Sequence, residues 1–457
     1  MAWQLRQAQA TRSSVQGHSL TEPQLTRSAG PLTQRREEQR IAWTKTLAAF
    51  FAVTLLGAPI AQAEHLVVFH DWRSPAELAA LNVLRHAVED NGDQWVPLAI
   101  PHDTNANTTV LDLIALGTSP NVFLHMPPAI YRTLHKRQKL LSLDAQFATN
   151  GLLENLPEVV RDTITIDGRI LKVPATIHAD ATIFYNHAIA AEIGIDPRDW
   201  TSLDAMWRDM EAARDAGYLP LAIGAQTWQI GYLTHSLVAT LGGPDLYQAL
   251  YGATPDKAAL DDPELAEVFV WLRRFQQAAD PGARDRDWNV ATNMVISGQA
   301  LMQIQGDWMK GEWRAAGKQL DTDYGCMLLP GARALPVTID SWGLMNATTP
   351  AMNKAVRAFA DAVVDPANQA AFAAAKGSTP IRFDAQGAVD PCSGMLLSAL
   401  DRPRFALPTP HLTARADWIE QIWATSQAFW SDKTMRPQTA IAQLKANWNA
   451  PPGAAVQ

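Results

Sequence analysis

The chain lacks the short motifs that mark the best-known enzyme and metal sites. It has no Gly-x-Ser-x-Gly nucleophile elbow, no Gly-rich loop for phosphates and no His-Glu-x-x-His zinc motif. Its 11 histidines are scattered without the spacing of metal ligands, and no two of its 46 acidic residues stand out as a glycosidase pair. A glycoside-acting enzyme and a metal-binding receptor are therefore alternatives without a motif of their own.

Charged residues are also scarce. Only 18% of the 457 residues are charged, 47% are hydrophobic, and the net charge of -8 argues against a nucleic-acid partner. The first 63 residues hold seven of the 38 basic residues and three of the 46 acidic ones, so the other 394 carry a net charge of -12. This acidic part of the chain has enough apolar residues for two domains.

One segment near the N-terminus has the pattern of a secretory signal. Basic residues between positions 35 and 45 precede the apolar run Leu47 to Ile60, which leads into the small-x-small sequence Ala61-Gln62-Ala63. An uncleaved membrane anchor is the alternative, but it needs about 20 apolar residues. We expect cleavage after Ala63 and a periplasmic location. The polar residues 1–34 are expected to be disordered or absent from the mature protein, and no later segment has membrane-spanning length.

Export bears on the two cysteines, Cys326 and Cys392. In an oxidising compartment an even, minimal set of cysteines favours one disulfide. Two buried thiols are the alternative, because the sequence alone does not place the two side chains side by side.

Strands and helices alternate after residue 64. Residues 65–72, 95–101 and 120–126 are predicted strands, with helices beginning at Ser74-Pro75 and around Val110 between them. This βαβαβ order predicts a parallel sheet. The first helix is expected to pack through one face, made of Leu78, Leu81, Leu84 and Val88.

The rest of the chain is predicted to be mixed α/β. Further strands are expected at 170–186, 324–330 and 336–346, and helices across most of 187–284 and at 309–317, 352–375 and 413–450.

The most informative stretch runs from Asp287 to Trp308. Residues 289–297 have the apolar spacing of a helix, and residues 300–305 alternate as a strand. The strand ends at Gly306-Asp307-Trp308, which predicts an indole at an exposed strand end beside a carboxylate. Sugars favour such pairs, because their C–H faces stack on indole and their hydroxyls need polar partners.

This order of a helix, a strand with small residues and Met, and Gly-x-Trp resembles the extracellular solute-binding proteins of carbohydrate ABC transporters. The resemblance is to the branch that binds glucose and related hexoses, and it extends from about Leu66 to about Asn447. Cysteines occur in similar places in that branch, so the resemblance favours the Cys326–Cys392 disulfide.

The resemblance implies an α/β fold with two lobes of type II-like topology, joined by hinge crossings and closing on a ligand in the cleft. An N-terminal extension and signal peptide would occupy 1–63. Lobe one would comprise 64–176 plus 331–376, and lobe two 177–330 plus 377–457.

The resemblance assigns four residues of the first lobe's opening segment to the sugar site. The relatives have two tryptophans at the end of the first strand, whereas here Asp71 precedes Trp72, so Asp71 would accept hydroxyl hydrogen bonds in place of stacking. Glu77 also keeps a family position, although it fits a capping box with Ser74 equally well. His125 is the only polar candidate in the third predicted strand, with a surface histidine as the alternative.

Four further positions match the family more closely. Trp288 and Trp308 correspond to two aromatic walls of its sugar site, with the same spacing of twenty residues. His178, in VPATIHAD, matches a histidine in a hinge crossing. Asp340, in IDSWG, matches an aspartate that takes two sugar hydroxyls bidentately.

Three assignments carry an equal structural alternative. Trp228, in GAQTW, could reach the cleft or belong to the core. Lys376, in KGSTP, matches a family lysine but would also suit a helix C-terminus as a positive charge. His411, in LPTPHLTA, matches a histidine in a loop that otherwise diverges.

Taken together, the resemblance implies a non-enzymatic periplasmic receptor without a cofactor. It would bind glucose, a related hexose or a small hexoside, and would deliver it as a monomer to an inner-membrane ABC permease.

Overall fold

The computed structural model describes residues 63–100, 108–149, 151–385 and 389–448. The predicted signal segment lies outside these residues. Within them, no helix combines the length and apolar character needed to cross a bilayer.

The strands of the described residues are short and fall into three sheets. They are β1 (His65–His70), β2 (Gln94–Ala99), β3 (Val122–Leu124), β4 (Thr165–Ile166), β5 (Arg169–Ile170), β6 (Val173–Ala179), β7 (Thr182–Asn186), β8 (Leu219–Leu221), β9 (Ala300–Gln305), β10 (Tyr324–Leu328), β11 (Leu335–Leu344) and β12 (Ala406–Pro408).

Helices connect and cover these strands. They are α1 (Pro75–Asp90), α2 (Val110–Ala115), α3 (Pro128–Lys136), α4 (Asp144–Thr149), α5 (Glu158–Ile164), α6 (His187–Glu192), α7 (Leu203–Asp215), α8 (Thr227–Leu237), α9 (Gly243–Tyr251), α10 (Pro263–Ala278), α11 (Trp288–Ile296), α12 (Met309–Ala315), α13 (Pro350–Val364), α14 (Pro366–Lys376), α15 (Pro391–Leu400), α16 (Pro410–Thr413), α17 (Ala416–Ser431) and α18 (Pro437–Asn447). A π-helical turn, Val238–Gly242, separates α8 from α9, and short 3-10 turns lie at Leu153–Asn155, Pro197–Asp199, Lys257–Asp261, Pro281–Ala283 and Phe383–Ala385.

The first sheet has the strand order β12-β11-β3-β1-β2, and β6 also pairs with β11. Strand β1 runs parallel to both β2 and β3, which confirms the parallel sheet predicted from the βαβαβ order. Pro97 lies in β2, which pairs with β1 alone in this sheet. An edge strand tolerates the missing N–H of proline, so this residue does not interrupt the sheet.

The second sheet has the order β10-β7-β9-β8. Strands β7 and β9 pair in antiparallel fashion, and the short strand β8 adds to the edge in parallel. The remaining pair, β4 and β5, forms a separate antiparallel ribbon. Strand β8 has just three residues, which is too short for a recognisable alternation, and it was not predicted from the sequence.

Short crossings carry the chain between the two large sheets. Strand β6 ends in the first sheet at Ala179 and β7 begins in the second at Thr182, so two residues make the first crossing. Strand β10 ends at Leu328 and β11 begins at Leu335, which makes the second. A third passes through Thr379, whose backbone pairs with Ile177 of β6. The predicted lobe boundaries therefore fall near these crossings, although β6 and β12 both pair within the first sheet.

Helix α1 begins as its sequence indicates. The Ser74 side chain accepts from the backbone N–H of Glu77, and the Glu77 carboxylate accepts from the N–H of Ser74, which completes the capping box. The predicted buried face needs one correction. Leu78 is 46% exposed, and the buried face instead includes Ala76 and Ala80, because the helix turns these small residues towards its close neighbours α12 and α14.

Cys326 and Cys392 form a disulfide, as predicted, with their Cα atoms 5.9 Å apart. The bond ties β10 to the first turn of α15, a helix that the sequence reading missed. The same helix start is held by Asp390, which accepts from the N–H of Ser393 at 3.0 Å and pairs with the buried ammonium of Lys310 at 2.8 Å.

Removing this disulfide should destabilise the protein without changing its fold. The bond spans 66 residues of sequence, so the double variant Cys326→Ala/Cys392→Ala is expected to lose about 2–4 kcal/mol of unfolding free energy, because its unfolded chain is less restricted. Urea unfolding of both proteins measures the difference. A reductant should produce the same loss in the native sequence and none in the variant. Two labelled thiols in the unreduced, denatured protein would contradict the bond.

Candidate functional site

The side chains predicted for the site come together where the two large sheets meet. Ring contacts, ion pairs and hydrogen bonds connect ten of the eleven predicted side chains into one group, and Trp228 joins it through Tyr232. The ten are Trp72, Glu77, His125, His178, Trp228, Trp288, Trp308, Asp340, Lys376 and His411. The eleventh, Asp71, lies close enough to His125 for its charge to raise the pKa of that imidazole. Contact of these residues with a ligand stays a prediction.

His178 lies at the centre of this group, between two carboxylates. Its Nδ1 is 2.6 Å from Oδ1 of Asp307, which follows β9, and its Nε2 is 3.2 Å from Oδ2 of Asp340 on β11. All three side chains are buried. Burial alone would lower the pKa of His178, but the two carboxylates outweigh it and raise that pKa above its usual value. The two carboxylates therefore favour the protonated imidazole, which contacts segments of both sheets.

Asp340 has a second histidine neighbour. Nδ1 of His125, at the end of β3, lies 3.5 Å from Oδ1 of Asp340, which is an ion-pair distance but too long for a good hydrogen bond. Burial would raise the pKa of Asp340, yet His125 and His178 hold it well below its usual value. Asp340 is thus an anion with both oxygens facing imidazoles, and a ligand hydroxyl would share these oxygens rather than find them free.

The chain around Trp308 is shaped to place its indole over the backbone. A Cβ atom at Gly306 would collide with this ring, so the glycine is needed for the close approach. The indole N–H donates to Oε1 of Gln305 at 3.1 Å. The ring lies edge-to-face with His178 at 5.3 Å and with Trp288 at 6.5 Å between centroids. The predicted exposed position is wrong, because Trp308 is 7% exposed beneath its neighbours.

Lys376 brings a positive charge onto the aromatic walls. Its Nζ lies 4.8 Å from the ring centroid of Trp72, 6.0 Å from that of Trp308 and 3.7 Å from Oε1 of Glu77. It is also the last residue of α14, before Gly377 in the left-handed conformation. The structural alternative, a positive charge at a helix C-terminus, is therefore confirmed, and contact of Lys376 with a ligand stays a prediction. The Glu77 carboxylate therefore makes two interactions: it accepts from the backbone N–H of Ser74 at the start of α1, and it pairs with the Lys376 ammonium.

Trp228 lies on α8 rather than in the predicted loop. It contacts Tyr232, a residue that was not among the predicted site residues. Tyr232 follows it by one helical turn, with ring centroids 5.7 Å apart. The Tyr232 hydroxyl is 3.3 Å from Nδ1 of His411 and 3.4 Å from the hydroxyl of Thr338. The spacing of four residues from Trp228 was the available signal, since such pairs share a helix face.

His411 is neutral in this setting. Burial lowers its pKa to about 3, with further lowering by the charges of His125 and Lys172. Its ring centroid is 6.5 Å from that of His125, so a cation at one position disfavours a second at the other. Neutral imidazole can both donate to and accept from a ligand hydroxyl.

Asp307 and Asp180 are two further carboxyls that the site prediction did not include. Asp307 directly precedes Trp308 in the sequence. Its partner, His178, is 129 residues away, so no local sequence pattern indicates their contact. Asp180 lies in the first crossing, where burial raises its pKa well above the usual value. Its Oδ2 is 3.4 Å from Nε2 of His235, whose pKa burial lowers strongly. Burial thus disfavours the charged form of both groups, and neither side chain makes a hydrogen bond of normal geometry within the described residues.

Contacts across the rim close the site. Arg73, which follows β1, pairs at 3.1 Å with Asp287 before α11, and Asp287 also accepts from Gln226 at 3.0 Å. The backbone N–H of Ala76 donates to Oε1 of Glu312 at 3.2 Å. The Arg73–Asp287 and Ala76–Glu312 contacts join elements attached to different sheets, whereas Gln226 and Asp287 both lie on segments of the second sheet.

The described part of the chain contains no group of three or more His, Cys, Asp or Glu side chains arranged to hold a metal ion.

Comparison with known proteins places the chain in a family. Residues 100–391 match the family of bacterial extracellular solute-binding proteins. The chain is 31% identical over 345 residues to a "Probable sugar-binding periplasmic protein" of Mesorhizobium japonicum, covering 74% of this chain and 80% of that one. A protein with the same description from Rhizobium meliloti is 30% identical over 343 residues, covering 74% and 81%.

A solved structure shows the same fold. A "Chitin oligosaccharide binding protein" superposes with a TM-score of 0.72 at 18% identity, covering 84% of this chain and 98% of that one. The fold is therefore the two-lobe binding-protein fold that the resemblance implied. The chain belongs to the bacterial extracellular solute-binding protein family, whose members bind solutes rather than transform them.

The charge on His178 should make the stability of the protein depend on pH. Since its pKa is raised on folding, the native state holds a proton that the unfolded chain loses above about pH 6.5. His178→Asn should cost about 3–5 kcal/mol at pH 6, where two carboxylates lose their cation. This difference should shrink as the pH rises through the raised pKa.

Urea unfolding of the wild type and His178→Asn between pH 6 and 9 measures this effect. His86→Asn, at an exposed histidine on α1, is the matched control and should follow the wild type. A difference between wild type and His178→Asn that grows with pH would show that the buried imidazole is not the cation of this group.

Proposed function

We propose that this protein is a periplasmic receptor that binds a hexose or small hexoside where its two lobes meet and delivers it to an ABC permease. One observation carries the proposal: the ring of Trp308 packs edge-to-face on His178, which pairs with Asp340, and Trp288 and the Lys376–Trp72 contact lie beside that ring. Indole faces suit the C–H faces of a sugar ring, and paired charged groups suit its hydroxyls. The names of the relatives in Mesorhizobium and Rhizobium support a sugar as the solute.

The enclosure of the site favours a small ligand. Trp72, Trp308 and Asp340 are each less than a tenth exposed, so a ligand that contacts all three would be largely enclosed by the protein. A monosaccharide fits such enclosure better than a long oligosaccharide does. The three residues lie on segments of different sheets, so a sugar touching all of them has its full set of contacts when the lobes are closed.

Isothermal titration calorimetry of the mature protein against glucose, galactose, mannose and their small glycosides tests the proposal. Binding of one or more of these without change to the sugar is the expected result. Release of a hydrolysed product would favour the glycoside-acting enzyme. Binding of a divalent cation with no response to sugars would favour the metal-binding receptor.

Trp288 offers the cleanest test of the aromatic walls, because it is half-buried and its loss should not collapse the core. Trp288→Ala should weaken sugar binding by about 1–3 kcal/mol, the scale of a lost aromatic contact, and Trp288→Phe should restore part of it. Trp207→Ala is the matched control. That half-buried indole contacts Arg214 and Arg274 away from the site, so its loss should leave the affinity unchanged. If Trp288→Ala bound the sugar as tightly as the wild type, the proposed stacking of the sugar on the aromatic rings would be contradicted.

Ligand should also drive the lobes together. We expect small-angle X-ray scattering to show a smaller radius of gyration at saturating sugar than without it, because the sugar stabilises the form in which both lobes contact it. Arg73→Gln removes the exposed pair with Asp287 and should weaken binding by no more than about 1 kcal/mol. Tight binding with an unchanged scattering profile would show that the empty protein is already closed.

A further inference from the structure

Lys172 is a buried lysine that is not among the residues of the proposed sugar site. It lies between β5 and β6, and it is 1% exposed. Among the residues that the structure describes, its Nζ has no hydrogen-bond or ion-pair partner, and it lies 5.1 Å from the ring centroid of Tyr131 on α3. Burying an ammonium group without an anion is costly, so a lysine in this position calls for a partner.

Two more buried polar groups next to Lys172 also lack hydrogen bonds. The hydroxyls of Tyr131 and Ser341 make none of normal geometry, although Ser341 and the backbone of Met126 are close enough to act on the pKa of Tyr131. Each of these side chains is less than 2% exposed. One ammonium and two hydroxyls thus lie in a buried region where, among the described residues, no anion pairs with the ammonium.

This region adjoins the sugar site. Ser341 directly follows Asp340 on β11, and the pairing with β6 shifts register between these two residues. Such a bulge interrupts the usual alternation, so consecutive side chains are no longer forced to opposite faces of the strand. Lys172 is also close enough to His411 for its charge to lower the pKa of that imidazole.

We propose that Lys172, Tyr131 and Ser341 form a subsite at the first-sheet wall of the cleft that receives the carboxylate of an acidic sugar. The proposal rests on the proposed function and narrows its ligand to a hexuronate. A carboxylate matches the three groups in charge and in hydrogen bonding. Its single negative charge neutralises one ammonium, and its two oxygens accept from the ammonium and from both hydroxyls. A phosphate group would bring up to two negative charges against this one cation.

Protonation of Lys172 gives the subsite a characteristic pH dependence. Burial, assisted by the charge of Arg132 on α3, lowers the pKa of Lys172 to about 7. The other titratable groups near it are Tyr131, which stays neutral, and His411 on α16, which is neutral as well. Below pH 7 the ammonium is present for a carboxylate, and above it the amine is neutral, so hexuronate binding should weaken as the pH rises.

Calorimetric titrations with D-glucuronate, D-galacturonate, D-glucose and D-galactose at pH 6 and 8.5 test the subsite. The ratio of hexuronate to hexose affinity is the measured quantity, since it cancels the pH dependence of the shared sugar contacts. In the wild type this ratio should fall about 10-fold or more between the two pH values, because a group with a pKa near 7 loses most of its charge over that interval.

Two variants sharpen the test. Lys172→Met keeps the length and removes the charge, so the ratio should drop and lose its pH dependence; its unfolding midpoint checks that it folds. Arg132→Gln lies outside the subsite, at a half-exposed residue paired with Asp167. Removing its charge should shift the fall in the ratio to higher pH without abolishing it.

The outcomes separate the two proposals. Hexose binding without a hexuronate preference, or a preference that persists in Lys172→Met, overturns the subsite and leaves the proposed function standing. Hexuronate binding through Lys172 without hexose binding supports the subsite and overturns the hexose assignment. No binding of either sugar overturns both. Stronger binding of D-glucose 6-phosphate than of either hexuronate would overturn the choice of a carboxylate.

Discussion

The structure depends on a buried imidazole between two carboxylates. His178 contacts Asp307 at 2.6 Å and Asp340 at 3.2 Å, and these three residues come from β6, the end of β9 and β11. Strands β6 and β11 belong to the first sheet and β9 to the second, so this charged group joins the sheets beside a two-residue crossing. A buried charge must be compensated within a few ångströms, which fixes the relative position of the three segments closely.

The aromatic walls follow from this arrangement. Trp308 follows Asp307 directly, so the contact of Asp307 with His178 also sets the position of the indole, which Gly306 allows to lie over the backbone. Lys376 then bridges Trp308 and Trp72. These contacts hold the side chains in place without a ligand, so less free energy would be lost in ordering them on binding.

The site combines opposite electrostatic states within a small volume. The pKa of His178 is raised while burial lowers that of His411, and the pKa of Asp340 lies well below its usual value while burial raises that of Asp180 well above it. The difference depends on partners: His178 has two carboxylates, whereas His411 faces other cations. Each sugar hydroxyl both donates and accepts hydrogen bonds. Groups whose pKa values are shifted in opposite directions can offer such a hydroxyl both an acceptor and a donor. Lys172 differs from these groups, because it is buried and has no anionic partner among the described residues. This is the reason for proposing an acidic sugar instead of a neutral one.

The sequence by itself predicted most of the local elements, and the resemblance it carries named side chains that lie close together in the structure. Capping at Ser74, the apolar strands and the helix–strand unit before Trp308 depend on neighbours within a few residues, so their patterns could be read directly. The tertiary structure decided which side chains touch. His178 and Asp307 are 129 residues apart, and Tyr232 and His411 are 179 apart, and no periodicity records such pairs. The exposure of Leu78, the burial of Trp308 and the isolation of Lys172 likewise depend on packing between distant segments, because burial is a property of the assembled sheets and helices and not of the local chain.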